Sequence, residues 1–512
     1  MSSDLEKGSS SLQSVSQSES DLENTPTSEL KDPLPESKPQ STWRRLISIL
    51  KGGGETRGIE PVPLEERQPV TASTSLHMLL MWFSMTLATN NIIVGSIGTF
   101  VLGLSFKDAA LCAVFGNLLG VCTVGYVSSW GPVSGNRTLI VGRYFMGYYP
   151  SKVCCAINVL TNLGYCMVNS VVGGQILSRV SGGQVSVLVG IVIVAGLSWI
   201  MAMFGMKIFA IYERFAWLPQ LMVLCVMLGS AGPKFNFNIH TEVSRGVLNA
   251  KRMTFFSLCL SIALAWAPLA ADYYVYYPPH VKRWRTFTLT ILGCGQAMLI
   301  TILIGVGLGT TLASSAEYRD KYGDSPGGLL MMAYDSLGGF GKFCAVINVL
   351  ALLANNTPSV YSMGMNFQML GDFFRKVPRP VFVTFSTVIY AASAMGGRNQ
   401  LYEVFKSFLP LIGYWVMMFF VIILQEDILF RRRRGYDWSA WNTPQRLPMG
   451  IAAGAAFLIG WAGAIVGMDQ PYYGGPVAKL AHGADLGTWL GAGFTFISFP
   501  PLRALELRFI GR

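Results

Sequence analysis

Long apolar runs dominate this chain and restrict it to one class of fold. Between about Leu76 and Leu505, about twelve stretches carry few charges, and each has roughly the 20 residues that an α-helix needs to cross a bilayer. Only 13% of the 512 residues are charged, against roughly 25% in soluble domains. The sequence therefore predicts an all-α membrane protein embedded in the lipid bilayer. The runs lie near 77–101, 107–129, 150–177, 184–206, 213–231, 253–276, 285–312, 341–369, 378–395, 402–424, 448–467 and 485–504.

The two ends of the chain differ from this apolar body. Residues 1–72 are rich in Ser, Pro, Glu, Lys and Gln and cannot bury an apolar core. No apolar stretch near Met1 has the form of a signal peptide. We predict a disordered cytoplasmic tail at 1–72, a transmembrane domain at 73–506 and a short cytoplasmic C-terminus at 507–512. Loops on the side of the tail hold more Lys and Arg than the opposite loops, with the densest cluster at Arg431–Arg434, so both termini are expected to face the cytoplasm.

Several function classes find no support in the composition. The net charge of +11 is explained by cytoplasmic loops beside anionic lipid, and no basic-aromatic patch indicates a nucleic-acid partner. The nine cysteines have no metal-ligand spacing, and no nucleophile, zinc or phosphate-loop motif stands in a suitable context. We therefore expect no enzymatic activity, no metal, no cofactor and no nucleic acid.

The sequence Asn355-Asn356-Thr357-Pro358 interrupts one of the apolar runs. An amide side chain in hydrocarbon costs free energy unless it is hydrogen-bonded, and a proline removes a backbone donor. Two amides and a proline at membrane depth therefore predict a broken helix that lines a polar cavity, as in a transporter.

Polar residues in the first and third spans extend this pattern. Asn90 and Asn91 project about 100° apart on a helix, which favours an unwound segment in the first span over a single packing seam. In the third span, four polar residues recur at a spacing that forms one stripe. The stripe faces a cavity or forms a hydrogen-bonded seam between helices. Its members are Asn158, Asn162, Tyr165 and Asn169.

The sixth span contains Trp266 two residues before Pro268, which predicts a kink or break. Asp272 follows near its cytoplasmic end. We expect it to pair with a basic loop residue, with helix capping and proton relay as the alternatives. Buried amides and aromatic rings without a full cation suit a small, flat, neutral, hydrogen-bonding solute. Nucleobases, pyridine vitamins and hydantoins fit that description.

Seven short segments spread along the spans form a recognisable set. They are Trp82-Phe83-Ser84, Gly131-Pro132, Gly142-Arg143-Tyr144, Gly164-Tyr165 with Asn169, Tyr212-Glu213-Arg214, Ala270-Ala271-Asp272-Tyr273 and Ala354-Asn355-Asn356-Thr357-Pro358. With them, the chain resembles the fungal purine–cytosine permeases of the nucleobase–cation symporter-1 family. The resemblance implies a five-plus-five inverted repeat like that of leucine transporters, with two extra helices and with spans one and six discontinuous.

The resemblance also implies proton-coupled import of purine bases and cytosine at the plasma membrane by alternating access. It assigns substrate binding, by position, to Ser84, Asn169, Trp266, Asn355 and Asn356, with Asn169 and the asparagine pair approaching the substrate from opposite sides. Close relatives carry vitamin B6, so a pyridoxine transporter is the alternative. A channel or a transporter-like sensor is the competing class.

Three further assignments complete the expectation. Tyr165 is expected to stack on the substrate, although purine–cytosine members often have Trp there, so the preferred ring could differ. Asp272 and Glu213 are the candidates for coupling or structural roles, since no acidic residue lies beside the amides. Phe405 and Phe408 on the tenth span are the gate candidates.

Overall fold

The fold is an assembly of α-helices with one short hairpin. The computed structural model describes residues 58–204, 206–239, 242–323, 325–432 and 435–512, with the backbone alone for 204 and 206–211. The α-helices are α1 (Ala72–Thr86), α2 (Thr89–Ser96), α3 (Phe106–Ser128), α4 (Trp130–Ser134), α5 (Thr138–Met146), α6 (Pro150–Val180), α7 (Val187–Phe204), α8 (Met206–Ala231), α9 (Arg245–Leu264), α10 (Arg283–Thr290), α11 (Gln296–Ser314), α12 (Ala316–Tyr322), α13 (Pro326–Met332), α14 (Gly338–Met369), α15 (Asp372–Lys376), α16 (Arg379–Gly397), α17 (Leu401–Gln425), α18 (Ile451–Gly467), α19 (Pro476–Leu480) and α20 (Gly487–Ile510). The strands β1 (Asp469–Gln470) and β2 (Tyr473–Gly474) pair antiparallel.

The number of long helices agrees with a protein that crosses the membrane many times. Among the described residues, eight helical segments are long and apolar enough to span a bilayer, and the bent pair α1–α2 makes a ninth. Two shorter apolar helices, α7 and α18, and the 24-residue α20 are consistent with the predicted number of about twelve spans.

Two spans are broken. The axes of α1 and α2 differ by 52° across a gap at Leu87 and Ala88. The helix α9 ends at Leu264, and a 3₁₀ segment, Ala267–Tyr274, continues the span. Pro268 lies in the first turn of that segment, where its missing N–H costs least. The break predicted at this proline is confirmed.

The break predicted at Pro358 is wrong. The helix α14 is continuous, with Pro358 in its interior. Proline removes only one donor, and buried membrane helices tolerate that loss when neighbouring helices and side chains hold the backbone. The hydroxyl of Thr357 donates to the Leu353 carbonyl at 2.8 Å, one turn away. Asn90 and Asn91 are also helical. They lie in the first turn of α2, which begins at Thr89, directly after the break in their span.

Glycines bring the second half of the broken first span close to α11. A Cβ atom at Gly95 would lie 2.0 Å from the Ile302 carbonyl oxygen, and one at Gly305 would lie 1.9 Å from the Ile92 carbonyl oxygen. No side chain fits at either position, so small residues set this contact. Elsewhere α6 packs along α14, α3 along α9, and α18 against α20.

One end of the assembly holds a concentration of buried arginines, and we call it the arginine end. There α6 begins and α14, α17 and α20 end. Arg143 and Arg503 are buried at this end, and Arg431 lies there partly exposed. Gly147 (φ 88°) and Gly450 (φ 85°) meet at this end with their backbones in contact, which requires glycine at both positions.

The described chain begins with a packed segment at the same end. Ile59 is buried, the Val62 amide donates to the Gly135 carbonyl at 3.0 Å, and Arg67 Nη1 donates to the Pro132 carbonyl at 2.7 Å. Packed structure therefore starts before the boundary predicted at residue 72. The disorder predicted for residues 1–57 lies outside the described residues.

Candidate functional site

A small polar cavity lies where the two broken spans face α6 and α14. Its volume is about 20 Å³, enough for about one water molecule. None of the ten residues that line it, all of them described, carries a charge at neutral pH. They are Asn90, Asn91, Asn162, Tyr165, Ile262, Ala265, Trp266, Leu269, Asn355 and Ser359.

The amides predicted to bind substrate form a hydrogen-bonded cluster beside this cavity. Asn169 Nδ2 donates to Asn355 Oδ1 and to Asn356 Oδ1, both at 2.9 Å. Asn356 Nδ2 donates to Ser198 on α7 at 3.3 Å. The expectation that Asn169 faces the asparagine pair across a substrate is therefore wrong for this conformation, because the three side chains are in direct contact.

Asn355 connects the cluster to the broken first span. Its Nδ2 donates to the Met85 carbonyl at 3.0 Å. Carbonyl groups at the end of a helix lack intrahelical partners, so the break at Leu87 leaves this oxygen available. The cluster of hydrogen-bonded amides therefore connects α6, α7 and α14 to the end of α1 at the break. Asn355 is its one member that also lines the cavity.

The six predicted binding residues fall into two groups. Tyr165, Trp266 and Asn355 line the cavity. Asn169 and Asn356 support Asn355 from behind, and Ser84 is buried beside Glu213. Seven lining residues were not among the predicted binding residues: the apolar Ile262 and Ala265, and five others. The polar-stripe spacing in α6 already indicated Asn162, and the amide pair of the first span indicated Asn90 and Asn91, whereas Leu269 and Ser359 gave no signal. These five are Asn90, Asn91, Asn162, Leu269 and Ser359.

Aromatic rings close the cavity on the side away from the arginine end. The ring of Phe408 on α17 meets the ring of Tyr165 edge-on, with centroids 5.7 Å apart. A Cβ atom on Gly164 would lie 2.1 Å from the Phe408 ring, so the ring lies directly on the α6 backbone. Phe405 is buried one turn away. The structure thus places the predicted gate residue Phe408 against a residue of the cavity.

A second cavity of about 110 Å³ lies toward the arginine end. Leu269 lines both cavities and separates them. Trp266 lies beside this partition, with its ring edge-on to that of Trp82 at a centroid distance of 6.0 Å. A solute that left the central cavity in this direction would have to displace Leu269.

Polar contacts close the second cavity. Arg137 Nη1 lies 3.7 Å from Asp272 Oδ2, and Arg137 Nη2 donates to the Tyr361 hydroxyl at 3.0 Å. Asp272 Oδ1 accepts from the amide and the hydroxyl of Thr138 at 2.7 and 2.8 Å. One arginine thus joins the broken sixth span to α14, and the predicted pairing of Asp272 with a basic loop residue is confirmed.

Glu213 has entirely different surroundings. Its side chain is fully buried in α8, and neither carboxylate oxygen has a hydrogen-bond partner among the described residues. The hydroxyl of Ser84 lies beside it, outside bonding geometry. A charged carboxylate without a partner is expensive in such a place. Among the described residues, no group of three or more His, Cys, Asp and Glu is arranged to hold a metal ion.

Comparison with known proteins agrees with this architecture. The vitamin B6 transporter TPN1 of Saccharomyces cerevisiae is 32% identical over 541 residues, covering 92% of this chain and 92% of its own length. The purine-cytosine permease fcyB of Emericella nidulans is 34% identical over 462 residues, covering 90% of each chain.

A solved structure shows the fold. MHP1, a nucleobase-cation-symport-1 family transporter in a closed conformation with bromovinylhydantoin bound, superposes with a TM-score of 0.66 over 88% of this chain and 95% of its own, at 16% identity. The predicted leucine-transporter-like fold class is confirmed.

The family described as "Permease for cytosine/purines, uracil, thiamine, allantoin" matches residues 61–491. Its members are permeases, so the expectation that the chain is not an enzyme is confirmed. With the match over most of the chain and relatives above 30% identity across nine-tenths of it, this chain belongs to the permease family for cytosine/purines, uracil, thiamine and allantoin.

Proposed function

We propose that this chain imports a purine base or cytosine across the plasma membrane, with protons as the coupling ion. The observation that carries the proposal is the central cavity, in which two aromatic rings and several amides meet and no charged residue intrudes. Rings stack on a flat solute, and amides match its donor and acceptor edges. A neutral heterocycle suits this lining better than an anion or a sugar phosphate.

The two relatives support two substrate classes, a nucleobase and vitamin B6. Tyr165 is the feature that favours the second candidate. Its hydroxyl is buried and has no partner among the described residues, so it is ready to bond a hydroxyl-bearing pyridine. A tryptophan at this position would offer a larger stacking face and no hydroxyl.

Transport requires the central cavity to enlarge, since its present volume is about 20 Å³. Leu269 and Trp266 lie beside the break in the sixth span, where few backbone hydrogen bonds resist a change of angle. In our proposal, the broken spans rock against α6 and α14 to admit the ring. Phe408 moves away from Tyr165 on the side opposite the arginine end, and toward the arginine end Leu269 is displaced and the Arg137–Asp272 pair separates.

The proposal orients the arginine end toward the cytoplasm, because positive loops remain inside. The transport domain then comprises residues 73–506, with 1–72 and 507–512 in the cytoplasm. Glu213 is the proposed proton carrier. A buried carboxylate without a cation is stable when protonated, and its neighbour Ser84 lies on the broken first span. Proton loss therefore favours a conformation in which water reaches Glu213.

Uptake of radiolabelled solutes tests the substrate. Cells without their own nucleobase carriers are supplied with cytosine, adenine or pyridoxine, side by side. We expect saturable accumulation of a nucleobase that is faster at low external pH. If no solute accumulates above vector control while the protein is at the cell surface, the proposal is wrong. Uptake that does not saturate would instead indicate a channel.

Two substitutions refine the assignment. Asn355→Ala removes an amide from the cavity and should weaken apparent affinity about tenfold or more, because a lost hydrogen bond leaves a buried partner unsatisfied. Ser186→Ala, on an exposed loop far from the cavity, is the control. Tyr165→Trp should raise the preference for nucleobase over pyridoxine. An unchanged preference would remove Tyr165 from substrate discrimination.

A further inference from the structure

A third polar cavity lies at the arginine end, away from the path between the two cavities described above. Its volume is about 130 Å³, and it lies between the end of α17, the loop before α18 and the end of α20. Four arginines contribute to its lining, together with one carboxylate and apolar side chains. These arginines are Arg431, Arg446, Arg503 and Arg512.

The carboxylates at this cavity are already neutralised. Glu426 is fully buried and accepts from Arg503 Nε at 2.9 Å, from Arg503 Nη2 at 2.8 Å and from Arg431 Nε at 3.0 Å. Glu506 accepts from Arg503 Nη1 at 2.9 Å and from the Gly450 amide at 2.8 Å. Arg503 therefore donates to both carboxylates and, through Nη1, to the Arg512 carbonyl at 3.1 Å, and the other arginines carry the remaining positive charge.

Three guanidinium groups keep unused N–H donors. Within the described part of the chain, Arg431 gives only Nε to Glu426, and Arg512 gives only Nη1, to backbone carbonyls. Arg446 bonds through Nη2 to Asp437, and the two side chains are 57% and 52% exposed. An ion pair this exposed is weak, so Arg446 is free to take another acceptor. The cavity lining thus keeps several N–H donors unused, and its four arginines exceed by one charge the three carboxylates that pair with them, Glu426, Glu506 and Asp437.

The position of the cavity indicates the origin of its ligand. Apolar side chains next to it point outward on both flanking helices, with Ile428 47%, Leu429 58% and Phe509 80% exposed. In a membrane protein, such side chains contact lipid chains. The segment that carries Ile428 and Leu429, Glu426–Arg431, is a π-helical turn, a form often found at functional sites. The arginine-lined cavity therefore lies at the level of lipid headgroups.

We propose that this cavity binds the phosphate group of an anionic phospholipid. Planar guanidinium groups donate paired N–H bonds to phosphate oxygens, and basic pockets between membrane helices recognise such headgroups. Free inorganic phosphate has the same chemistry and is the other possible source of the ligand. A bound headgroup would join the ends of α17 and α20, and α17 also carries Phe408. The proposal requires only a membrane-spanning chain and is independent of the transported solute.

Thermal unfolding of the purified full-length protein in detergent tests the proposal. Phosphatidylserine, phosphatidylcholine and inorganic phosphate are added separately at matched ionic strength. We expect phosphatidylserine to raise the unfolding midpoint by about 3 °C or more, and phosphatidylcholine to have little effect. The double variant Arg431→Gln/Arg446→Gln should lose the phosphatidylserine effect, while Glu426 stays paired with Arg503.

A matched double variant controls for charge in general. Arg432→Gln/Arg508→Gln removes two exposed arginines that do not line the cavity, and it should respond to phosphatidylserine like the wild type. Equal losses in both double variants, or no effect of phosphatidylserine on the wild type, would overturn the proposal. If inorganic phosphate alone stabilises the wild type, the lipid source is wrong. If the first double variant does not fold, Arg446→Gln alone provides the same comparison.

Discussion

Two carboxylates near Tyr273 have opposite surroundings. Asp272 accepts two hydrogen bonds from Thr138 and lies 3.7 Å from Arg137. Glu213 is fully buried, with the Ser84 hydroxyl beside it, and among the described residues it accepts no hydrogen bond and pairs with no cation. A paired carboxylate holds two elements together in its charged form, whereas an unpaired one is stable when it carries a proton. The comparison separates the two coupling candidates: we propose that Asp272 is a structural latch and that Glu213 carries the proton.

The largest expected effect comes from Glu213→Gln, which keeps the shape and removes the titration. We expect accumulation against a gradient to disappear, and exchange of internal for external substrate to survive. Proteoliposomes with and without an imposed proton gradient distinguish the two activities. Asp272→Asn should leave the response to the gradient in place. If Glu213→Gln still accumulates substrate in response to the proton gradient, Glu213 is not the coupling residue.

A smaller but substantial effect is expected from the latch. Arg137→Gln leaves Asp272, whose side chain is 14% exposed, without its cation, which should cost less than the roughly 3 to 5 kcal/mol typical of a fully buried pair. The protein should then open more often toward the arginine end, since each 1.4 kcal/mol or so changes the ratio of open to closed conformations tenfold. A cysteine at Met81, which lines the second cavity, should react faster with an impermeant thiol reagent applied from the arginine end.

The latch prediction has an internal control. The double variant Arg137→Gln/Asp272→Asn removes both charges, so its Met81→Cys reactivity should lie between the wild type and Arg137→Gln. Both backgrounds retain the same native cysteines, so their reactivity cancels in the comparison. Equal reactivity in all variants would show that the ion pair does not hold the inner side closed.

The smallest expected effect concerns another buried carboxylate, in the loop that precedes α20. Asp485 accepts from the Tyr414 hydroxyl at 2.7 Å and from Gln470 Nε2 at 2.9 Å. Burial raises the pKa of Asp485 from 3.8 to about 6, and the nearby Asp469 adds to the rise. The folded protein therefore binds this proton more tightly than the unfolded chain, and the free energy of unfolding should fall as pH rises from about 4 to about 6.

Thermal unfolding between pH 4 and pH 7 measures this dependence. Asp485→Asn should flatten the decline across the window, because the amide of asparagine does not titrate and no proton is then bound or released at this position. Asp469→Asn removes the same charge from a more exposed neighbour and should change the slope much less. An unaltered slope in Asp485→Asn would assign the decline to other groups.

The sequence predicted the class of fold and the chemistry of the site better than its geometry. Apolar runs and polar residues at helical spacing depend on local pattern, so they identified the spans and picked out Tyr165, Trp266 and Asn355. The same reasoning placed a break at Pro358 and missed Leu269. Whether a proline breaks a helix depends on whether neighbouring helices and side chains support its backbone. Leu269 stands between two cavities only because of how the helices pack around it, which its place in the sequence does not reveal.

By itself, the sequence determined that this chain crosses a membrane many times, that its interior contains amides and rings in place of charges, and that one end is rich in arginine. These properties follow from composition and spacing along the chain. Only the tertiary structure decided that Asn169 bonds directly to Asn355 and Asn356 and that Arg137 holds Asp272. For Glu213 the finding is that, among the described residues, its carboxylate accepts no hydrogen bond. These contacts depend on distances between helices far apart in sequence, and the free energy of a buried polar group depends on the partner it meets there.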